Sequence, residues 1–186
     1  MHSIDPIDSD LIPVDIDNDG ISDGFAIDAN HDGIAEGYAL DTDRDGRIDT
    51  IGLDTDRDGR IDTIIHDSNN DGKADVFAFD TNSDGKIDEV YADTDRDGKV
   101  DTALIDTNHD GRVDFVALDT NRDGVFDFAV ADTDYNGKID TVAIDTNNDG
   151  KVDMVGLDRD ENGTIDVVAN QNPPRKPGQS SGSLVV

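Results

Sequence analysis

Apolar positions return along this chain every 13 residues, and between them lies a glycine-punctuated polar segment. From Asp15 to Asn170 the phrase repeats twelve times without insertion or deletion. Numbered from the leading aspartate of each repeat, positions 8, 11 and 13 are mostly apolar. In the seventh and eighth repeats they are Val100, Ala103, Ile105 and Val113, Val116, Leu118. Positions 10 to 13 read as a short strand with 11 and 13 on one face. The span between turn signals is too short for a helix, and Val, Ile, Phe and Thr favour strand. Position 12 is often Ala or Gly, which implies crowding. Glycine fills position 6 of every repeat, from Gly20 to Gly163, and permits a sharp turn there.

A second period of 39 residues overlies the first. Position 3 is Asp at Asp17, Asp56, Asp95 and Asp134, and Asn in the following repeat at Asn30, Asn69, Asn108 and Asn147. Position 13 of those middle repeats carries Leu40, Phe79, Leu118 and Leu157, and Thr63, Thr102 and Thr141 mark position 10 of three leading repeats. Residues 1–14 read as a half-repeat, because Asp10, Ile12 and Val14 fall at positions 9, 11 and 13. Residues 15–170 form the array, and 171–186 form a Pro/Ser/Gly-rich tail. All five prolines (Pro6, Pro13, Pro173, Pro174, Pro177) lie outside the array, as expected of strands inside and blunted edges at both ends.

Charge gives the repeat its chemistry. The 186 residues hold 45 acids against 15 bases, a formal charge of −30, and 40 of those acids occupy positions 1, 3, 5 and 9. Position 1 is Asp15, Asp28, Asp41, Asp54, Asp67, Asp80, Asp93, Asp106, Asp119, Asp132, Asp145 and Asp158. Position 3 is Asp17, Asn30, Asp43, Asp56, Asn69, Asn82, Asp95, Asn108, Asn121, Asp134, Asn147 and Asp160. Position 5 is Asp19, Asp32, Asp45, Asp58, Asp71, Asp84, Asp97, Asp110, Asp123, Asn136, Asp149 and Asn162. Position 9 is Asp23, Glu36, Asp49, Asp62, Asp75, Asp88, Asp101, Asp114, Asp127, Asp140, Asp153 and Asp166. Calcium takes six to eight hard oxygens, and alternate residues of a tight loop can aim them at one ion. These 48 side chains are the candidate ligands, and calcium is the expected cofactor. Twelve such ions would bring the formal charge of −30 to −6.

The phrase Asp93-Thr94-Asp95-Arg96-Asp97-Gly98-Lys99-Val100-Asp101 resembles the calcium loops of EF-hands, dockerins, thrombospondin type 3 repeats and integrin-type propeller blades. The departures matter. No flanking helices are readable, the cysteines of thrombospondin repeats are absent, and the acid that EF-hands place at position 12 is missing. The leading Asp of the next repeat is the expected substitute. The missing acid points to the weak, extracellular end of the calcium range, with Kd roughly 10⁻⁴–10⁻³ M.

The expected fold is an all-β repeat protein, with short strands joined by calcium loops. The favoured form is a β-solenoid with three repeats per 39-residue turn, in which Leu40, Phe79, Leu118 and Leu157 stack in one column. The alternative is an antiparallel meander or propeller-like sheet. Twelve of the 15 bases lie at positions 4 and 7 and are expected to point outward. His66 is expected to be a wall residue, and the eight threonines at position 2 to bond the loop backbone. Acidity argues against nucleic acid and anionic membranes as partners, and no apolar run reaches the length of a membrane span. Disulfides are excluded by the absence of cysteine. Residues 1–6 have neither the basic region nor the apolar stretch of a signal peptide, so a mature form or another export route is expected. With no catalytic grouping visible, the expected function is non-enzymatic. It is a calcium-stabilised structural rod, extracellular or at the cell surface: a spacer, adhesin segment or filament subunit that self-associates or meets a cell-surface or polysaccharide partner. The alternative is a binding surface for ice or polysaccharide.

Overall fold

The structure, a computed structural model, describes residues 11–170. Every repeat contributes one four-residue strand at positions 10 to 13. After β1 (Leu11–Val14) come β2 (Gly24–Ile27), β3 (Gly37–Leu40), β4 (Thr50–Leu53), β5 (Thr63–His66), β6 (Val76–Phe79) and β7 (Glu89–Ala92). The series continues with β8 (Thr102–Ile105), β9 (Phe115–Leu118), β10 (Phe128–Ala131), β11 (Thr141–Ile144), β12 (Met154–Leu157) and β13 (Val167–Asn170). β1 is the strand of the half-repeat and carries Pro13 at the open edge of the sheet, where a missing amide is tolerated. The tail from Gln171 lies outside the described residues.

The strands form one open sheet in chain order, each antiparallel to the last. Position 10 of one strand faces position 13 of the next, and 11 faces 12: Thr102 lies opposite Leu118, and Ala103 opposite Ala117. The reversal between strands comes from two left-handed residues in each loop. Position 4 has φ between 55° and 66°, and the position-6 glycine has φ between 80° and 93°. The hairpin closes when the amide of position 9 donates to the carbonyl of position 13 before the loop, as in Asp101 to Ala92 at 2.9 Å and Asp114 to Ile105 at 3.0 Å. Successive loops therefore fall on opposite edges of the sheet. Neighbours on one edge are two repeats apart, and they are joined where position 1 donates to the carbonyl of position 9, as in Asp119 to Asp101 at 2.8 Å.

This is the meander, not the three-sided solenoid. A loop that folds the chain straight back cannot pass it round a corner into a parallel turn. Leu40, Phe79, Leu118 and Leu157 form no column: they sit on β3, β6, β9 and β12, three strands apart and at alternating edges. Within the sheet the 39-residue period coincides with a cross-strand pairing. Thr63, Thr102 and Thr141 are the direct cross-strand partners of Phe79, Leu118 and Leu157. Three of the four units thus pair threonine with a large apolar residue, while the first pairs Gly24 with Leu40, and such cross-strand pairs are what stabilise a sheet.

Because 10 faces 13 and 11 faces 12, the side chains at 11 and 13 share a face within a strand but swap faces at the next. Both faces of the sheet are consequently apolar, and the sheet is one layer thick. Ala26, Ala78, Ala103 and Ala117 are the buried hydrophobic residues among those described, whereas Phe25, Ile51 and Val168 remain exposed. Larger side chains are only partly covered, and Ile48, Val113, Ile139 and Ile165 at position 8 remain exposed. The apolar residue at position 8 folds over position 12 of the preceding repeat. At Gly52 and Gly156 a Cβ would meet Ile61 Cγ2 at 3.1 Å and Ile165 Cγ2 at 3.0 Å, which is the crowding read from the sequence.

Candidate metal centres at the sheet edges

Each loop is folded around its own carboxylates. In the loop from Asp93, Oδ1 of Asp93 accepts the amides of Arg96 (2.7 Å) and Asp97 (3.2 Å), and Oδ2 accepts that of Gly98 (2.7 Å). Asp95 accepts the Asp97 amide at 3.1 Å, and Asp97 accepts that of Lys99 at 2.9 Å. The left-handed residues at positions 4 and 6 are what turn these amides inward. For a residue other than glycine or asparagine that conformation costs roughly 1–2 kcal/mol, so the network must outweigh it. Burial tends to raise the pKa of Asp67 and of Asp145. The amides of Gly72 and Asn69, and of Gly150 and Asn147, more than offset it and hold both carboxyls below the ordinary range.

Position 9 is, with position 1, the acid most shielded from solvent in most loops. Its carboxylate accepts the amide of position 2 and the position-2 hydroxyl, as Asp114 does from Thr107 (3.0 and 2.7 Å). The eight position-2 threonines, with Ser68, donate to position 9 of their own loops. Those hydroxyls bond a side chain, not the backbone alone as expected. Where position 10 is also threonine, a further hydroxyl arrives: Thr50, Thr63, Thr102 and Thr141 donate to Asp49, Asp62, Asp101 and Asp140. At all four, burial raises the pKa but these hydrogen bonds outweigh it, so each carboxyl lies below the usual range. His66 lies on the sheet with Nδ1 2.9 Å from the Thr50 hydroxyl.

The structure draws positions 1, 3 and 5 together in the loops from Asp15, Asp41 and Asp54, with one oxygen of each residue within 4.8 Å of the others. In the loops from Asp93 and Asp132 it draws together positions 1, 3 and 9. At position 3, Asn69 and Asn147 direct their side-chain amides to Asp75 (3.3 Å) and Asp153 (3.1 Å), and Asn30 does the same to Glu36. Position 12 lies within the strand and offers no ligand. Nor can the next leading aspartate replace it: Asp106 follows β8 and opens a loop on the edge opposite the Asp93 loop. Three hard anionic oxygens this close, already oriented by backbone amides, fit a divalent cation that favours oxygen.

The bases at positions 4 and 7 do not simply point outward. Along each edge they reach the neighbouring loop. Arg122 Nε lies 2.8 Å from Asp95 Oδ2, and Arg44 bonds Asp17 while its Nε is 3.8 Å from Asp23. Arg96 is 3.9 Å from Asp75. Position 7 reaches the other way, as Lys99 donates to the Asp123 carbonyl at 2.9 Å. Neutral position-4 side chains follow the arginines: Asn70 donates to Asp43 (2.6 Å), and Ser83 to Asp56 (2.6 Å). No sequence signal marked these contacts, because the partner sits 21 to 27 residues away in a loop whose edge depends on the topology.

A family model described as EF hand matches residues 38–50 and 78–89, which enclose the loops from Asp41 and Asp80. No curated protein and no solved structure matches the chain. EF-hand-like calcium-binding loops are thus present at two places, within a chain that carries the same spacing twelve times. Together with the aspartate clusters they suggest a divalent cation such as calcium. Among the described residues no helix is long and apolar enough to cross a membrane.

Proposed function

We propose that this chain is a calcium-stabilised structural rod that works outside the cell or on its surface, as a spacer, adhesin segment or filament subunit, with no catalytic role. The convergence of aspartates at both edges of a one-layer sheet carries the reading. Thirteen strands spaced by ~4.8 Å make a ribbon about 58 Å long from strands only about 13 Å long. Such a shape spans distance better than it encloses a ligand. With few buried apolar groups and acids crowded along its rims, the ribbon depends on bound cations for its stability. Positions 1, 3 and 5 would hold calcium in every loop, with position 9 adding its carboxylate where it faces the cluster. Without an acid at position 12 these are weak sites, matched to the calcium levels found outside cells.

Far-UV circular dichroism and hydrodynamic radius, with millimolar calcium and with excess EDTA, test this reading. Strand signal and a compact radius are expected with calcium, and loss of both on chelation. A chain that stays compact and strand-rich in EDTA would overturn it.

A further inference from the structure

Position 4 carries side chains that a left-handed residue does not require. Asparagine suits that conformation, yet only Asn18, Asn70 and Asn148 use it, and the other nine loops place His, Arg, Ser, Tyr or Glu there. These side chains reach the neighbouring loop. Arg122 meets Asp95, Arg44 meets Asp17, and Ser83 meets Asp56: each time position 3 of the loop two repeats earlier on the same edge. Arg96 and His109 meet position 9 of that loop, at Asp75 and Asp88 (3.9 and 2.9 Å). Both residues belong to the candidate ligand set. The final loop departs from the rule. Its position 4 is the acid Glu161, which lies 3.3 Å from Lys138 and lines one cleft with Asp134 and Asp140.

We infer that position 4 is an internal counter-ion that competes with calcium for the carboxylates of the loop two repeats earlier. For the ten loops that have another loop two repeats further on, the metal affinity is then set by the residue 27 positions beyond position 3. This rests on the reading of the loops as calcium sites. A guanidinium on a ligand oxygen draws that oxygen away from the ion and places a positive charge within a few ångströms of it. The loops from Asp15 and Asp93, facing Arg44 and Arg122, are therefore weakened. The loop from Asp132 is strengthened by Glu161, which offsets the neutral Asn136 at its position 5. The twelve sites therefore differ in affinity in a pattern read along each edge of the sheet.

The test is a calcium titration of the full chain, followed through the amide signals of the position-6 glycines by NMR. R122Q is expected to tighten the Gly98 midpoint about threefold and R122E about tenfold at ordinary salt. E161R should weaken the Gly137 midpoint to a similar degree. In the R122 variants the midpoint of Gly111, on the opposite edge, should move less than that of Gly98, and a dispersed spectrum at saturating calcium shows that the sheet is intact. An unchanged or weakened Gly98 in R122Q and R122E, with the glycines still responding to calcium, overturns this inference alone. If no glycine of the wild-type chain responds to calcium, the proposed function fails and the inference falls with it.

Discussion

The position-9 aspartate shows how one residue joins loop to strand. Asp101 receives the hydroxyls of Thr102 at 2.7 Å and Thr94 at 2.8 Å, from the strand after it and the loop before it. Burial pushes its pKa up, but these bonds outweigh that and leave it depressed. A depressed carboxyl contributes stability that is fully present above the ordinary value of about 3.9 and is lost as pH falls through the folded value. The double variant T94V/T102V removes both donors. It should lose roughly 1–3 kcal/mol at pH 7 and show a shallower fall in stability between pH 5 and pH 2 than the wild type. Urea unfolding at fixed calcium concentration measures both. The acids themselves were legible from spacing alone, since 1, 3, 5 and 9 is a pattern that one local loop explains. The role of position 4 was not, because its partner depends on which loops share an edge.

At the scale of strand and loop, sequence and structure agree closely. Positions 10 to 13 form the strand, the glycine at 6 sits in the turn, and the small residues at 12 lie beneath position 8. What a single repeat could not reveal was the direction of the chain after each loop. Hairpin and solenoid corner can share an acidic, glycine-bearing loop, and the choice rests on the second left-handed residue, at position 4. There Arg, His or Tyr gives no sign of a positive φ. Close backbone approach appears at Gly24 in β2, where a Cβ would lie 2.1 Å from the Ala39 carbonyl oxygen. That contact is with backbone, so the sheet itself must yield. G24A is expected to destabilise the β2–β3 pair by at least the ~1–3 kcal/mol typical of overpacking. Hydrogen exchange should quicken at the amides of Gly24–Ile27 and Gly37–Leu40, while β8 and β9 keep wild-type protection.

On the scale of the whole molecule, each strand touches only the strands before and after it in the chain, so length can change without redesign of a common core. Removing residues 93–131, one complete 39-residue unit, places β11 beside β7 in the phase that β8 holds now. The shortened chain should fold with calcium and lose about 14 Å of its long dimension, three strand spacings, which small-angle scattering would register.

The alternation of loops between edges makes that deletion less innocent than it looks. Repeats are counted in threes by the sequence and in twos by the sheet, so the two counts agree only every 78 residues. A 39-residue edit keeps the backbone pairing at each join but reverses the parity of everything beyond it: left rim becomes right, and upper face becomes lower. With thirteen strands, Leu11 and Asn170 stand at opposite rims, and with ten they would share one. The chain beyond the last strand would then leave the sheet on the other side, so duplication by threes reverses its exit while hardly changing the sheet.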